Sequence, residues 1–125
     1  MIELAWSGKA VTKNNKHTVR KGRDGKRYIM LTRRYREFVE ELAYTFRSQC
    51  RSRFAEMDVS IAVSVSRRTD HHNLIEPICD ALETAGIIDD DRHIGEMVVS
   101  KPERHKRGEP DEIRIILTNC REAGR

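Results

Sequence analysis

The stretch from Arg67 to Asp91, RRTDHHNLIEPICDALETAGIIDDD, constrains this chain more than any other. A helical pattern lies between Asp70 on one side and Asp89, Asp90 and Asp91 on the other. Leu74, Ile75, Ile78, Cys79 and Leu82 recur at helical spacing and supply its inward face. Gly86 is placed to stop the helix in a left-handed turn. A helix entered beside one carboxylate and left beside three others turns the chain back through a compact fold. Such a turn can gather distant acids around one divalent cation. The helix start has two readings. Asn73 as N-cap with Glu76 three residues on makes a capping box; alternatively Pro77 occupies the first helical position.

The 125 residues suffice for one domain with one modest core. Nothing marks a second domain, so residues 1–125 are read as a single unit. The net charge of +4 favours a polyanionic partner. The first third and the segment Lys101 to Arg107 carry much of the basic charge. No apolar run is long enough for a transmembrane helix, and the N-terminus has no apolar stretch of the signal-peptide kind. Cys50, Cys79 and Cys120 are odd in number and widely spaced. That pattern reads as cytosolic thiols, without a disulfide framework or zinc spacing.

Ile2 to Trp6 reads as a strand, followed by a polar loop to Lys16. Asp24-Gly25, between a segment with Val19 and one with Tyr28, Ile29 and Met30, predicts a hairpin over His17 to Thr32. Its arms and tip carry Arg20, Lys21, Arg23, Lys26 and Arg27, a basic ribbon or a merely solvated one. Arg33 to Phe54 is read as a helix whose Tyr35, Phe38, Val39, Leu42, Ala43, Phe46 and Cys50 share one core-facing side. Val59, Ile61, Val63 and Val65 alternate with small residues, which predicts a central strand delivering Arg67, Arg68, Thr69 and Asp70 at its end. Ile94 to Ser100 and Ile113 to Leu117 read as closing strands, with a basic loop between them and a frayed tail after Asn119.

Breaking a phosphodiester needs an activated water and neutralised phosphate charge, which a carboxylate-held Mg²⁺ provides. Asp70 is the sharpest ligand candidate, with helix capping as its structural alternative. Asp90 and Asp91 follow, with a solvated loop as theirs. Adjacent histidines on an extended segment point opposite ways, so His71 is assigned to the surface. His72 is a candidate nitrogen ligand that shifts preference from Mg²⁺ towards Mn²⁺ or Zn²⁺. Arg67, Arg68 and Lys101 are candidate phosphate contacts. No Walker loop, nucleophile elbow or dinucleotide fingerprint is present.

Asp70-x-x-Asn73-Leu74, Asp80-Ala81-Leu82, Ala85-Gly86 and Asp90-Asp91 keep register without gaps, and together they resemble the RusA family of Holliday junction resolvases. The loop with Asn14-Asn15, the long helix and the closing strands match that family in order. The resemblance implies an α+β fold, a small mixed sheet carrying two main helices. It further implies a homodimeric, Mg²⁺- or Mn²⁺-dependent endonuclease acting on four-way DNA junctions, cytoplasmic and often encoded by bacteria, phages or prophages. Asp70, His72 and Asp91 map to catalytic positions, and Asp90 and Glu76 join them as candidate metal ligands. Asn15, Lys16, Arg20, Lys21, Arg23, Lys26, Arg67, Arg68, Asn73 and Lys101 become the candidate DNA contacts. Two positions depart from the family pattern. His72 stands where a second motif aspartate is expected, and Glu76 where a functional lysine is expected. The leading expectation is a junction-resolving nuclease; the alternative is a branched-DNA-binding protein that cuts slowly or not at all.

Overall fold

The computed structural model describes residues 1–124. The elements run β1 (Ile2–Gly8), β2 (His17–Lys21), β3 (Arg27–Leu31), α1 (Arg33–Gln49), β4 (Phe54–Val65), α2 (Ile75–Thr84), β5 (Ile94–Val99), β6 (Glu103–Arg104) and β7 (Asp111–Glu122). Five strands form one sheet in the order β1-β7-β4-β5, with β6 paired to the end of β4. The β1–β7 and β7–β4 pairs are antiparallel, while β5 and β6 run parallel to β4. A parallel return needs a long crossover, and α2 provides it between β4 and β5. The result is the expected α+β architecture, a mixed sheet with two helices and β4 inside it.

Period-two patterning selects the buried face. Leu4 and Trp6 of β1, Met57, Val59, Ile61, Val63 and Val65 of β4, and Ile113, Ile115 and Leu117 of β7 are buried in one core with the apolar stripes of both helices. Fully burying a side chain of this size contributes about 1.5–3 kcal/mol. The alternate residues Ala5, Ala62 and Arg114 remain exposed on the opposite face. Trp6 meets Phe38 edge-on at 5.2 Å between ring centroids, fixing α1 over β1. Tyr35, Phe38 and Phe46 of α1 are therefore core, as its periodicity predicts, while Tyr44 is exposed.

Several boundaries differ from the sequence reading. α1 ends at Gln49, and Phe54 opens β4, because residues 50–53 break the helix before the alternating pattern begins. β7 continues to Glu122, past the expected fraying point. Asn119, at φ 49°, puts an irregularity in it and donates from Nδ2 to Asp58 Oδ2 at 2.7 Å, holding the tail on the sheet. The hairpin forms with Asp24-Gly25 in its loop, where Gly25 adopts φ +79°. Asp24 accepts from the Lys26 amide at 3.0 Å and from the Tyr28 hydroxyl.

Both readings of the α2 start give way to a third. A short 3₁₀ turn over His71–Leu74 precedes α2, and Leu74 is its N-cap without a side-chain bond. Pro77 is the third helical residue, where the missing amide would have been unpaired anyway. The helix ends as expected. Gly86 has φ +72° and donates to Glu83 O at 2.9 Å, while Ile87 donates to Leu82 O at 3.1 Å. These two bonds are the Schellman closure.

Candidate metal centre

The carboxylates and imidazoles that flank α2 fall into two groups. Asp70, His71 and His72 have ligand atoms mutually within 4.8 Å, and so do Glu83, Asp90 and Asp91. Among the described residues, no such group contains both Asp70 and Asp91.

The first group sits just past the end of β4. Thr69 N–H donates back to Ser66 O at 3.1 Å, closing the turn that leaves Arg67 and Arg68 exposed. Arg104 of β6 clamps this turn, donating from Nη1 to Ser66 O at 2.8 Å and to Thr69 O at 2.7 Å. Asp70 caps the 3₁₀ turn by accepting from His72 N–H at 3.0 Å. His71 and His72 do not diverge, because the 3₁₀ geometry replaces the extended segment expected for them. Their ring centroids lie 4.0 Å apart, tilted by 44°. His71, assigned to the surface from sequence, thus joins the group. Partial burial, then the neighbouring His72 and Arg104, hold the His71 pKa below its ordinary value, with Asp70 opposing them. The shift favours the neutral imidazole, the form that ligates a cation.

The second group sits where the chain returns from α2 to β5. Asp89 is spent on Arg53, at 2.6 Å. Asp90 accepts from Arg92 N–H at 2.9 Å and pairs with its guanidinium at 3.2 Å. The Arg92 amide, then the Asp91 and Arg92 side chains, hold the Asp90 carboxyl below the usual range. Asp91 donates its backbone N–H to Glu83 Oε1 at 2.8 Å. Glu83 is a ligand candidate the sequence did not single out. Only the Gly86 reversal folds it back beside Asp90 and Asp91. Cys79 is no ligand: burial, then the nearby carboxylates led by Asp91, push its thiol to about 11.

The two groups lie at opposite ends of the sheet. Met57 pairs with Ile94, three residues beyond Asp91, whereas Val65 pairs with Arg104, the residue that clamps the Asp70 turn. Eight residues of β4 separate these levels, roughly 25 Å at the usual strand rise.

Glu76 and Lys16 are brought to each other rather than to either group. Lys16 Nζ pairs with Glu76, lies 3.9 Å from Asp80, and sits 5.4 Å from the Tyr35 ring centroid. Tyr35 donates its hydroxyl to Asp80 at 2.5 Å. The bond to Glu76 is the first cause raising the Lys16 pKa, against partial burial. The Asn15 carbonyl accepts from Thr32 Oγ1 at 2.5 Å, and Lys16 O accepts from Thr32 N–H at 2.7 Å. This cluster anchors the base of the β2–β3 ribbon to both helices. Arg20, Lys21, Arg23 and Lys26 are all exposed on that ribbon. Asn73 is half-buried in the 3₁₀ turn, and Lys101 is exposed, lining a groove on the uncovered sheet face. Arg104 is a second residue missed from sequence, since a basic loop does not announce which cation will clamp a turn nearly forty positions earlier.

The chain is similar to a family described as Endodeoxyribonuclease RusA, whose model matches residues 7–117. No curated protein matches it.

Proposed function

The chain belongs to the RusA endodeoxyribonuclease family, and from that premise we propose that it is a homodimeric, divalent-metal-dependent nuclease that resolves four-way DNA junctions by paired nicks. The observation that carries this reading is the pair of ligand groups at the two ends of β4. The donor sets fit a divalent cation. Glu83, Asp90 and Asp91 offer hard oxygens suited to Mg²⁺ or Mn²⁺, and His71 or His72 beside Asp70 adds nitrogen that favours Mn²⁺.

A cation holds its oxygens at about 2.0–2.6 Å, so one ion cannot span roughly 25 Å within a single copy. Two copies in antiparallel two-fold arrangement bring Asp70 of one beside Asp91 of the other. Each dimer then has two composite centres, which suits two nicks on a junction with near two-fold symmetry.

When bound, the cation supplies charge neutralisation at phosphorus and lowers the pKa of the attacking water. The chain's own residues do the rest. Asp70 is oriented by the His72 amide, and Asp90 by the Arg92 amide, so neither carboxylate must be ordered on binding. Arg67 and Arg68 project from a turn that Arg104 holds rigid, and they grip the phosphate next to Asp70. An imidazole at His71 or His72, unlike a further carboxylate, adds no negative charge to repel the DNA backbone. Glu76 takes no part in the centre, being paired with Lys16.

The test is cleavage of a synthetic four-way junction in Mg²⁺ and in Mn²⁺. Paired nicks with either metal, faster in Mn²⁺, are expected. Tight junction binding without nicks in both metals would leave a branched-DNA-binding protein instead.

A further inference from the structure

The β2–β3 ribbon holds five Lys and Arg side chains against Asp24 alone, a balance that equals the whole chain's net charge of +4. The rest of the protein therefore sums to formal neutrality, and the chain's net positive charge is matched by that of this hairpin. Charge does not account for the ribbon's other property. All ten strand residues are exposed, including five large apolar ones. Val19 and Ile29 face each other across the two strands and are 60% and 74% exposed, and Leu31 follows on the same side at 42%. Lys21 and Arg27 continue this face towards the tip. An isolated two-stranded ribbon is marginal in water, and an apolar face on it favours a partner that covers it. The base of the ribbon is nonetheless rigidly set by the Lys16–Glu76 and Thr32–Asn15 contacts, so the face is presented in a fixed direction.

We propose that the Val19–Ile29–Leu31 face of the ribbon is the branch reader, laid against bases unstacked where DNA arms meet, while Arg20, Lys21, Arg23, Lys26 and Arg27 hold the flanking phosphates. This rests on the branched-DNA reading above. Charge complementarity selects the partner: a second copy would bring a like-charged ribbon against this one, whereas DNA neutralises it. The chemistry of the face selects the feature recognised. Val19, Ile29 and Leu31 carry no side-chain donor or acceptor, so this part of the face reads no hydrogen-bonding pattern of base edges in a closed groove. Apolar side chains from a ribbon instead gain by filling the gap left when a base step opens, a cost already met at a branch point.

The experiment measures binding in EDTA to a four-way junction and to linear duplex of the same arms, with 2-aminopurine placed at the branch. Val19→Thr/Ile29→Thr keeps β-branched strand formers while removing apolar surface. This variant should bind the junction at least tenfold more weakly, keep its duplex affinity within about twofold, and lose the fluorescence rise at the branch. Lys21→Ala/Arg27→Ala should weaken junction and duplex alike and lower the salt slope by about two. Ile29→Trp adds a stacking face and should tighten junction binding. Equal loss on junction and duplex in the threonine variant, or no loss, overturns the proposal. So does conversion of a dimer to a monomer in sedimentation velocity, which would make the face a subunit contact. Because no metal is present, a chain that binds junctions but never cuts them still passes this test, and a chain that cuts without ribbon dependence fails it alone.

Discussion

Mixing two inactive variants tests the composite centre directly. Asp70→Asn keeps an acceptor for the His72 amide, and asparagine caps as well as aspartate, so stability should change by less than about 0.5 kcal/mol. Asp91→Asn leaves the backbone bond to Glu83 intact. Each variant alone should lose at least the roughly 10–100-fold that disturbing even a supporting shell of a metal site costs. With the two groups some 25 Å apart in one copy, a mixed dimer pairs the two substituted positions in one centre and leaves the other centre wild type. Random exchange puts about half of the dimers in mixed form with one intact centre of two, so about a quarter of wild-type nicking should return. The products should be singly nicked junctions rather than paired linear duplexes. The assay is gel-resolved cleavage after unfolding and refolding an equimolar mixture, with subunit exchange verified by differential tags. If exchange is complete and the mixture is no more active than either parent, the composite arrangement is wrong.

Glu83→Gln should raise the Mg²⁺ concentration for half-maximal cleavage by about tenfold with little change in melting temperature, because the amide oxygen still accepts from Asp91. His72→Asp should move metal preference from Mn²⁺ towards Mg²⁺; an unaltered profile removes His72 from the centre. Arg104→Ala removes two charge-assisted bonds to the Asp70 turn and should cost about 1–3 kcal/mol by thermal or urea denaturation, with Arg104→Lys recovering only part. The hydrogen bond to Asp111 at 2.6 Å, then the Lys106 carbonyl, raise the His105 pKa above its ordinary 6.5. Its contribution is therefore fully present below pH 6.5 and is lost as pH rises through the folded-state value, so melting temperature should fall over that window. His105→Gln should flatten this slope; an unchanged slope assigns it to another group.

Local pattern sufficed where one short segment determines its own structure. The alternation of Val59 to Val65 marks a strand because every second residue must reach the core. The stripe from Tyr35 to Phe46 marks a helix, and Gly86 marks its neighbour's end because φ +72° is costly for other residues. The gapless register from Asp70 to Asp91 was likewise legible, and with it the family. What joins positions distant in sequence was not. The 3₁₀ turn that swings His71 alongside His72 depends on how β4 hands over to α2, and Glu83 meets Asp90 and Asp91 only through the Gly86 reversal. Lys16 finds Glu76 across sixty residues, an encounter set by packing α1 and α2 together. Above all, the parallel pairing of β5 with β4 decided that Asp70 and Asp91 leave the same sheet at opposite ends. Strand direction is a property of the whole chain's path, and no spacing between two aspartates encodes it.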